Sequence, residues 1–345
     1  MDEGESMIGK RSLKVAVLSF AHTHAIGYCR ILSARPDIEL IAADPDGASA
    51  PDAAPRGAEL AGALGVPYVE TYEEALAWAP DAVIVTAENA RHRELVELAA
   101  ATGAHILCEK PLATTVDDAR AMVAAAAAAE VTLMTAYPFR FAPAFTDLLA
   151  RVRSGQLGSV QAVTGTNNGK LPADRAWFTD PALAGGGALI DHVVHCVDLL
   201  DELLGALPES VHAVSNRILH PEAAVETGGL VTATYPGGVI ASVDCSWSVP
   251  DSAAVWGGLT LQVTGTRGSV TIAPFAQHVG GQTEAGAVWE PTGDDLDAAM
   301  LAEFLDAVRS GRAARPDGAV GVRTLQVAAA ARLSAATGEV IAVTG

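Results

Sequence analysis

Lys14-Val-Ala-Val-Leu-Ser-Phe-Ala-His-Thr-His24 is the stretch on which the reading of this chain turns. Lys14–Ser19 is a short apolar run of the kind that forms a strand buried on both faces, and helical spacing takes over across His22–Ala34. A buried strand running straight into a helix opens a βαβ unit, and the same alternation continues downstream. Strands are predicted over Glu39–Ala43, Val66–Val69, Asp81–Thr86, His105–Cys108 and Val131–Ala136. Helices are predicted over Ala58–Leu64, Glu73–Trp78 (capped by Thr71), Arg91–Thr102 (ended by Gly103) and Thr115–Glu130, where Asp117 and Asp118 complement the helix dipole. Apolar strands separated by helices make a doubly wound parallel sheet covered on both faces, and such sheets bind ligands at the carboxyl ends of their strands.

The second half changes character. After a helix over Pro143–Ser154, extended segments dominate: Val160–Asn167, Ser210–Ile218, Gly229–Tyr235, Val239–Trp247, Gly258–Thr264 and Ser269–Ala273. Tyr235-Pro-Gly-Gly238 and Gly265-Thr-Arg-Gly268 are tight-turn signals between strand pairs. One helix, Ala188–Leu204, interrupts them, and two more, near Asp294–Ser310 and Val320–Ala336, close the chain. The expected fold is therefore α/β, a Rossmann-type domain over 12–137, followed by an α+β domain over 138–345 with a large, mainly antiparallel open sheet.

Bulk properties narrow the classes. With 345 residues, two domains are expected. A net charge of -19 without any Lys/Arg cluster argues against nucleic acid as a partner. The apolar stretch Ala121–Ala129 is short and flanked by charges, a helix interior and no membrane span. Cys29, Cys108, Cys196 and Cys245 are isolated and read as free thiols of a reducing cytoplasm, and the polar N-terminus MDEGESMIGKRS has no signal core.

The strand–turn–helix is where a dinucleotide-binding fold carries G-x-G-x-x-G. Ser19, Ala21 and His24 stand in place of the three glycines, with Phe20, His22 and Thr23 between them. The first two replacements are small enough for a close backbone approach to pyrophosphate. His24 is not, and His22 and His24 are candidate donors to the pyrophosphate. Asp44 ends the second strand where a carboxylate would take the ribose hydroxyls, and no Arg follows it, so NAD is expected in preference to NADP. Glu109-Lys110-Pro111 follows the strand ending at Cys108, which sets Lys110 at the sheet's carboxyl edge, able to steady a developing oxyanion. Gly185-Gly-Gly leads into a helix on which Asp191 and His195, four apart, share a face. An imidazole beside a carboxylate suits proton abstraction from an alcohol as hydride leaves for a nicotinamide. By spacing His192 points elsewhere.

Taken together these motifs resemble the glucose–fructose oxidoreductase / inositol dehydrogenase / MocA (Gfo/Idh/MocA) family. The resemblance is carried by Val15–His24, Ala43-Asp44-Pro45, Asp81–Asn89 with His92, Cys108–Leu112, Arg140-Phe141 with Pro143, Leu157-Gly158, Gly185–His195 and Tyr235–Gly238, so it spans nearly the whole chain. It implies NAD(P)-dependent oxidation or reduction of sugars, cyclitols or related small molecules, and homo-oligomers, dimer or tetramer, built through the open sheet face. It implies catalytic roles for Lys110, Asp191 and His195, with Ala87, Asn89, His92 and Glu109 near the nicotinamide. The chain has Ala87-Glu88 where the family usually shows Thr-Pro. Tyr137, Lys170, Arg175, Trp177, Phe178 and His192 are candidates to touch substrate.

Two rival readings use the same residues. His22-Thr-His24 resembles the H-x-H pair of a metal-dependent hydrolase, which Asp191, His192 and His195 would complete, although the main reading requires no metal. The degenerate glycine loop would also suit a non-catalytic sugar- or nucleotide-binding protein.

Overall fold

A computed structural model describes residues 11–50, 54–275 and 277–344. The charged N-terminus read above lies almost wholly outside them, as does part of the loop 46–55.

The first half alternates as its apolar periodicity requires. Strands β1 (Leu13–Leu18), β2 (Ile38–Ala43), β3 (Tyr68–Val69), β4 (Ala82–Val85), β5 (His105–Cys108) and β6 (Leu133–Thr135) form a six-stranded sheet in the order β3-β2-β1-β4-β5-β6, parallel throughout. Between them run α1 (His24–Ser33), α2 (Gly57–Leu64), α3 (Tyr72–Ala77), α4 (His92–Ala101) and α5 (Val116–Ala128). Thr71 and Thr115 accept the Glu74 and Asp118 main-chain N–H groups and so cap α3 and α5. The strand order reverses beside β1, and the crevice between the ends of β1 and β4 is where such a sheet takes its ligand.

The second sheet has seven strands in the order β12-β11-β7-β10-β9-β8-β15. They are β7 (Val160–Gly169), β8 (Ser210–Asn216), β9 (Gly228–Thr234), β10 (Ile240–Ser246), β11 (Gly257–Gly265), β12 (Gly268–Ile272) and the short β15 (Ile341–Ala342). All pairings are antiparallel except β7 with β10. One face packs on the helix Ala188–Leu204; the helices preceding it are α6 (Pro143–Arg153) and the short α7 (Pro181–Ala184), which makes it α8. The stretch 181–204 is long and apolar enough to cross a membrane, but 94% of its 18-residue apolar window is buried inside the protein, as a core helix is.

Three features escape sequence reading. A polar, glycine-containing hairpin, β13 (His278–Thr283) with β14 (Gly286–Pro291), stands apart from both sheets and carries little hydrophobic alternation to betray it. β15 is only two residues long. Finally α9 (Leu296–Ser310) returns to the first half: its Met300, Leu301, Phe304 and Leu305 share a core with Val15, Tyr28 and Leu32. The last helix, α10 (Gly318–Thr337), packs on both α5 and α8. The sequence boundary at 137/138 is therefore crossed twice by the C-terminal helices. All four cysteines are free and buried.

Candidate functional site

Lys110 is delivered by the end of β5 and Asp191 by the first turn of α8, on opposite sides of the interface between the two halves. Gly187 makes that meeting tight: a Cβ there would lie 1.9 Å from the Glu226 carbonyl oxygen. The Gly187 N–H donates to Glu226 Oε1 at 2.8 Å, which anchors the start of α8. From this base Asp191 Oδ1 accepts a 2.6 Å bond from Lys110 Nζ, and its Oδ2 accepts one from Trp247 Nε1 at 3.2 Å. Burial opposes the Asp191 charge, but Lys110 and then His192 outweigh it and hold the carboxyl well below its ordinary range.

Asp191 was expected to orient His195. The structure instead sets it against Lys110, Trp247 and the imidazole of His192, whose Nε2 lies 3.2 Å away. His192 is thus part of the site, fixed by its Nδ1 contact to the Asn167 carbonyl at 2.8 Å. The physical reason is direction: the first turn of α8 aims Asp191 across the interface at β5, whereas His195, one turn on, lies between the rings of Tyr137 and Phe139. His195 still opens on the same cavity. Burial and then the Lys110 charge push its pKa well down, which keeps the ring neutral, and its buried Nδ1 has no hydrogen-bond partner among the described residues.

That cavity, about 640 Å³, is lined by His22, Thr23, His24, Lys110, Asp191, His192 and His195 on its polar side. Phe139, Phe178, Trp256, Phe275 and Trp289 supply apolar wall, and Asn167 and Asn168 face it from β7. An apolar chamber with a few convergent polar groups is what a small polyol needs. None of Asn167, Trp256, Phe275 or Trp289 carried a sequence signal, because each is brought in by an element distant in the chain.

The dinucleotide end of the crevice is built differently. Ser19 takes the place of the first glycine with φ of 73°, the left-handed conformation a glycine would adopt freely. The Ala21 carbonyl accepts from Arg175 Nε at 3.2 Å and Trp177 Nε1 at 3.0 Å, so these two cover the turn and do not line the cavity. Phe20 is fully buried. Asp44 stands at the end of β2, but its carboxylate receives Arg56 Nη2 at 2.8 Å, Arg56 Nε at 3.1 Å and the Gly57 N–H at 2.9 Å. Arg56 also reaches Glu88 at 3.0 Å and Ser19 at 3.3 Å, bridging the ends of β2 and β4 over the top of β1. Arg56 was not singled out in the sequence, being twelve residues past the aspartate.

Of the other candidates, His92 is enclosed by the carbonyls of Ala87, Pro111 and Leu112 and braces two loops. Asn89 donates to the Ala184 carbonyl at 2.8 Å. Tyr137 bonds Thr324 at 2.7 Å, and Lys170 bonds the Asp251 and Ala253 carbonyls. Neither lines the cavity.

Glu109 is fully buried beside the lysine, and His24 Nδ1 lies 3.0 Å from its Oε1. Burial works against both charges, yet Glu109 raises the His24 pKa, and His22 and then His24 hold the Glu109 carboxyl well below its usual range.

A two-sheet fold with a dinucleotide-type crevice, a sheet-edge lysine and an acid from the second half defines an oxidoreductase of the Rossmann class. Comparison with known proteins places it more closely. Residues 33–137 match the oxidoreductase family model with an NAD-binding Rossmann fold, and 145–271 match the Gfo/Idh/MocA C-terminal domain. The chain is 31% identical over 299 residues to 1,5-anhydro-D-fructose reductase of Ensifer adhaerens, covering 83% of this chain and 87% of that protein. It is 34% identical to D-xylose 1-dehydrogenase (NADP(+)) 2 of Haloferax volcanii over 201 residues, 57% of this chain and 60% of the relative. Among solved structures, GenD2 from gentamicin A biosynthesis, in complex with NAD, superposes with a TM-score of 0.86 at 28% identity, covering 100% of this chain and 99% of that one. The protein belongs to the Gfo/Idh/MocA oxidoreductase family. The N-terminal match begins past the β1–α1 turn that carries His22 and His24.

Proposed function

We propose that this protein interconverts a secondary alcohol and its carbonyl on a sugar, cyclitol or related polyol, with a nicotinamide dinucleotide as hydride partner. The observation that carries the reading is the 2.6 Å contact of Lys110 Nζ with Asp191 on the wall of a cavity that His195 also faces. In alcohol oxidation, Lys110 donates to the reacting oxygen and stabilises the charge that builds there. Asp191, itself held by Trp247, fixes the ammonium in place. His195, held neutral by burial and facing the cavity, accepts the hydroxyl proton. Run backwards, the same residues deliver the proton to a carbonyl oxygen. When bound, the nicotinamide supplies the hydride-accepting carbon.

The residues fit that group unevenly. The catalytic end of the crevice is open, but at the adenosine end Arg56 holds the carboxylate expected to meet ribose. NAD therefore needs Arg56 to release Asp44, whereas a 2′-phosphate would find a cation already in place. The expected preference for NAD rested on the absence of an arginine after Asp44; Arg56 removes that ground, and NADP is the second cofactor to test. The relatives' own names include an NADP-dependent xylose dehydrogenase and a reductase of an anhydro sugar, which supports the substrate class.

Self-association is part of the same proposal. Val214, Leu230 and Ile240 expose about half of their surface on the sheet face turned away from α8. Sedimentation velocity showing a monomer at micromolar concentration would refute it. The central test is a dehydrogenase screen of inositols, aldoses and anhydro sugars with both cofactors, reading absorbance of the reduced nicotinamide. Turnover on one of them supports the reading, and none with either cofactor in either direction sinks it.

A further inference from the structure

Two histidines on the wall of the catalytic cavity, His22 and His24, and the buried Glu109 behind them have no part in the hydride chemistry above. We propose that His22, His24 and Glu109 bind a divalent metal ion of the zinc class, with the free coordination position facing the cavity. One donor atom from each lies within 4.8 Å of the other two. The individual contacts are 3.0 Å from His24 Nδ1 to Glu109 Oε1 and 4.0 Å from His22 Nε2 to Glu109 Oε2. Metal–ligand bonds of about 2.0–2.2 Å put tetrahedral donors about 3.4 Å apart, so the 3.0 Å pair opens slightly and the wider separations, at most 4.8 Å, close by up to ~1.4 Å.

The chemistry of the donors selects the ion. Two imidazoles and one carboxylate suit zinc and its neighbours, not the oxygen-seeking magnesium or calcium. Three protein ligands leave a fourth position for water or a ligand oxygen, the arrangement of catalytic and not of structural zinc sites. The carboxylate is already oriented as metal-binding carboxylates are. Tyr28 donates its hydroxyl to Oε1 at 2.6 Å, and the Lys110 N–H donates to Oε2 at 3.1 Å.

The independent observation is His22. It is 3% exposed, it lines the cavity, and its Nε2 has no hydrogen-bond partner among the described residues. A buried ring nitrogen without a partner costs about 1–3 kcal/mol unless something binds it. A metal on Nε2 puts the ring proton on Nδ1, so the 3.2 Å contact that Nδ1 now accepts from the His24 N–H must open. That amide begins α1, in the turn where N–H groups lack helical partners and take water or ligand. The rival hydrolase reading grouped His22 and His24 with Asp191, His192 and His195; the third donor is instead the glutamate of the Glu-Lys-Pro turn, because Asp191 is engaged by Lys110.

The test uses the full chain, stripped with chelator and dialysed, then titrated with Zn²⁺ against a chromophoric competitor. One equivalent bound by the wild type, with affinity weakened at least tenfold in both His22→Asn and His24→Asn at unchanged circular dichroism, is the expected result. His24 is about one-third exposed on its side chain, so His24→Asn is the variant least exposed to folding trouble. Should a variant fail to fold, cobalt substitution of the wild type decides. An intense visible spectrum of a four- or five-coordinate ion supports the site, and a weak octahedral spectrum overturns it. Absence of a bound equivalent, or binding unchanged in both variants, also overturns it. The titration is blind to hydride transfer. A bound equivalent without sugar turnover supports the site and sinks the dehydrogenase reading, while turnover with no metal bound does the reverse.

Discussion

Replacing Lys110 with methionine keeps the length of the side chain and its apolar stem and deletes its charge. The ammonium lies 2.6 Å from Asp191 in a pair whose side chains are 5% and 13% exposed, so the substitution strands a buried carboxylate. Removing one member of a buried pair costs about 3–5 kcal/mol; the Trp247 and His192 contacts that remain to Asp191 put the expectation near ~3 kcal/mol. Neutralising the partner as well, in Lys110→Met with Asp191→Asn, removes the stranded charge and should restore at least half of that loss. Catalysis should not follow. Both the single and the double variant lose the donor to the reacting oxygen, and hydride transfer should fall by about two to four orders of magnitude in each. Urea unfolding reads the stability, and single-turnover absorbance at the reduced-nicotinamide band reads the chemistry. An unchanged unfolding midpoint in Lys110→Met would show that the pair is absent from the folded protein. Recovery of turnover in the double variant would make the lysine structural and end the mechanistic argument.

Further outcomes can be checked separately. Arg56→Leu should weaken NADP binding at least tenfold more than NAD, by fluorescence titration; an equal change for both would remove Arg56 from the ribose end. Because His195 must be neutral to accept a proton and its pKa is pushed well below the ordinary 6.5, kcat/KM should stay flat as pH falls through 6.5 and drop only below it. An acid limb centred at or above 6.5 would contradict this. Asp198, fully buried beside Arg140, is pushed up to about 7 by burial, since Arg140 is shared with Asp201 and Glu202. A carboxyl raised in the folded state favours folding while protonated. Its contribution should fade as pH rises from about 4 to about 7, and Asp198→Asn should flatten that decline; an identical slope in both proteins would rule the group out.

Much of this protein is legible in its sequence because much of it is local. Apolar runs of four to six residues bounded by helices dictate a parallel sheet, since a strand buried on both faces has no polar alternation to offer. The β5 strand and α8 begin and end where spacing puts them, and Lys110, following a strand of known direction, has to emerge at the carboxyl edge. The Thr71 cap and the turn at Tyr235–Gly238 are likewise local chemistry. The tertiary structure decided what each carboxylate touches. Asp191 and His195 sit four apart and look like a pair, but a helix face sets only proximity, and the direction of the first turn of α8 gives the acid to Lys110 across the interface. Asp44 stands where expected, yet Arg56, arriving from the start of α2, holds its charge, and Glu109 meets two histidines from a different strand–helix turn. Charges pair by distance in space at a few ångströms, and sequence periodicity specifies which way an element faces without specifying what arrives opposite it.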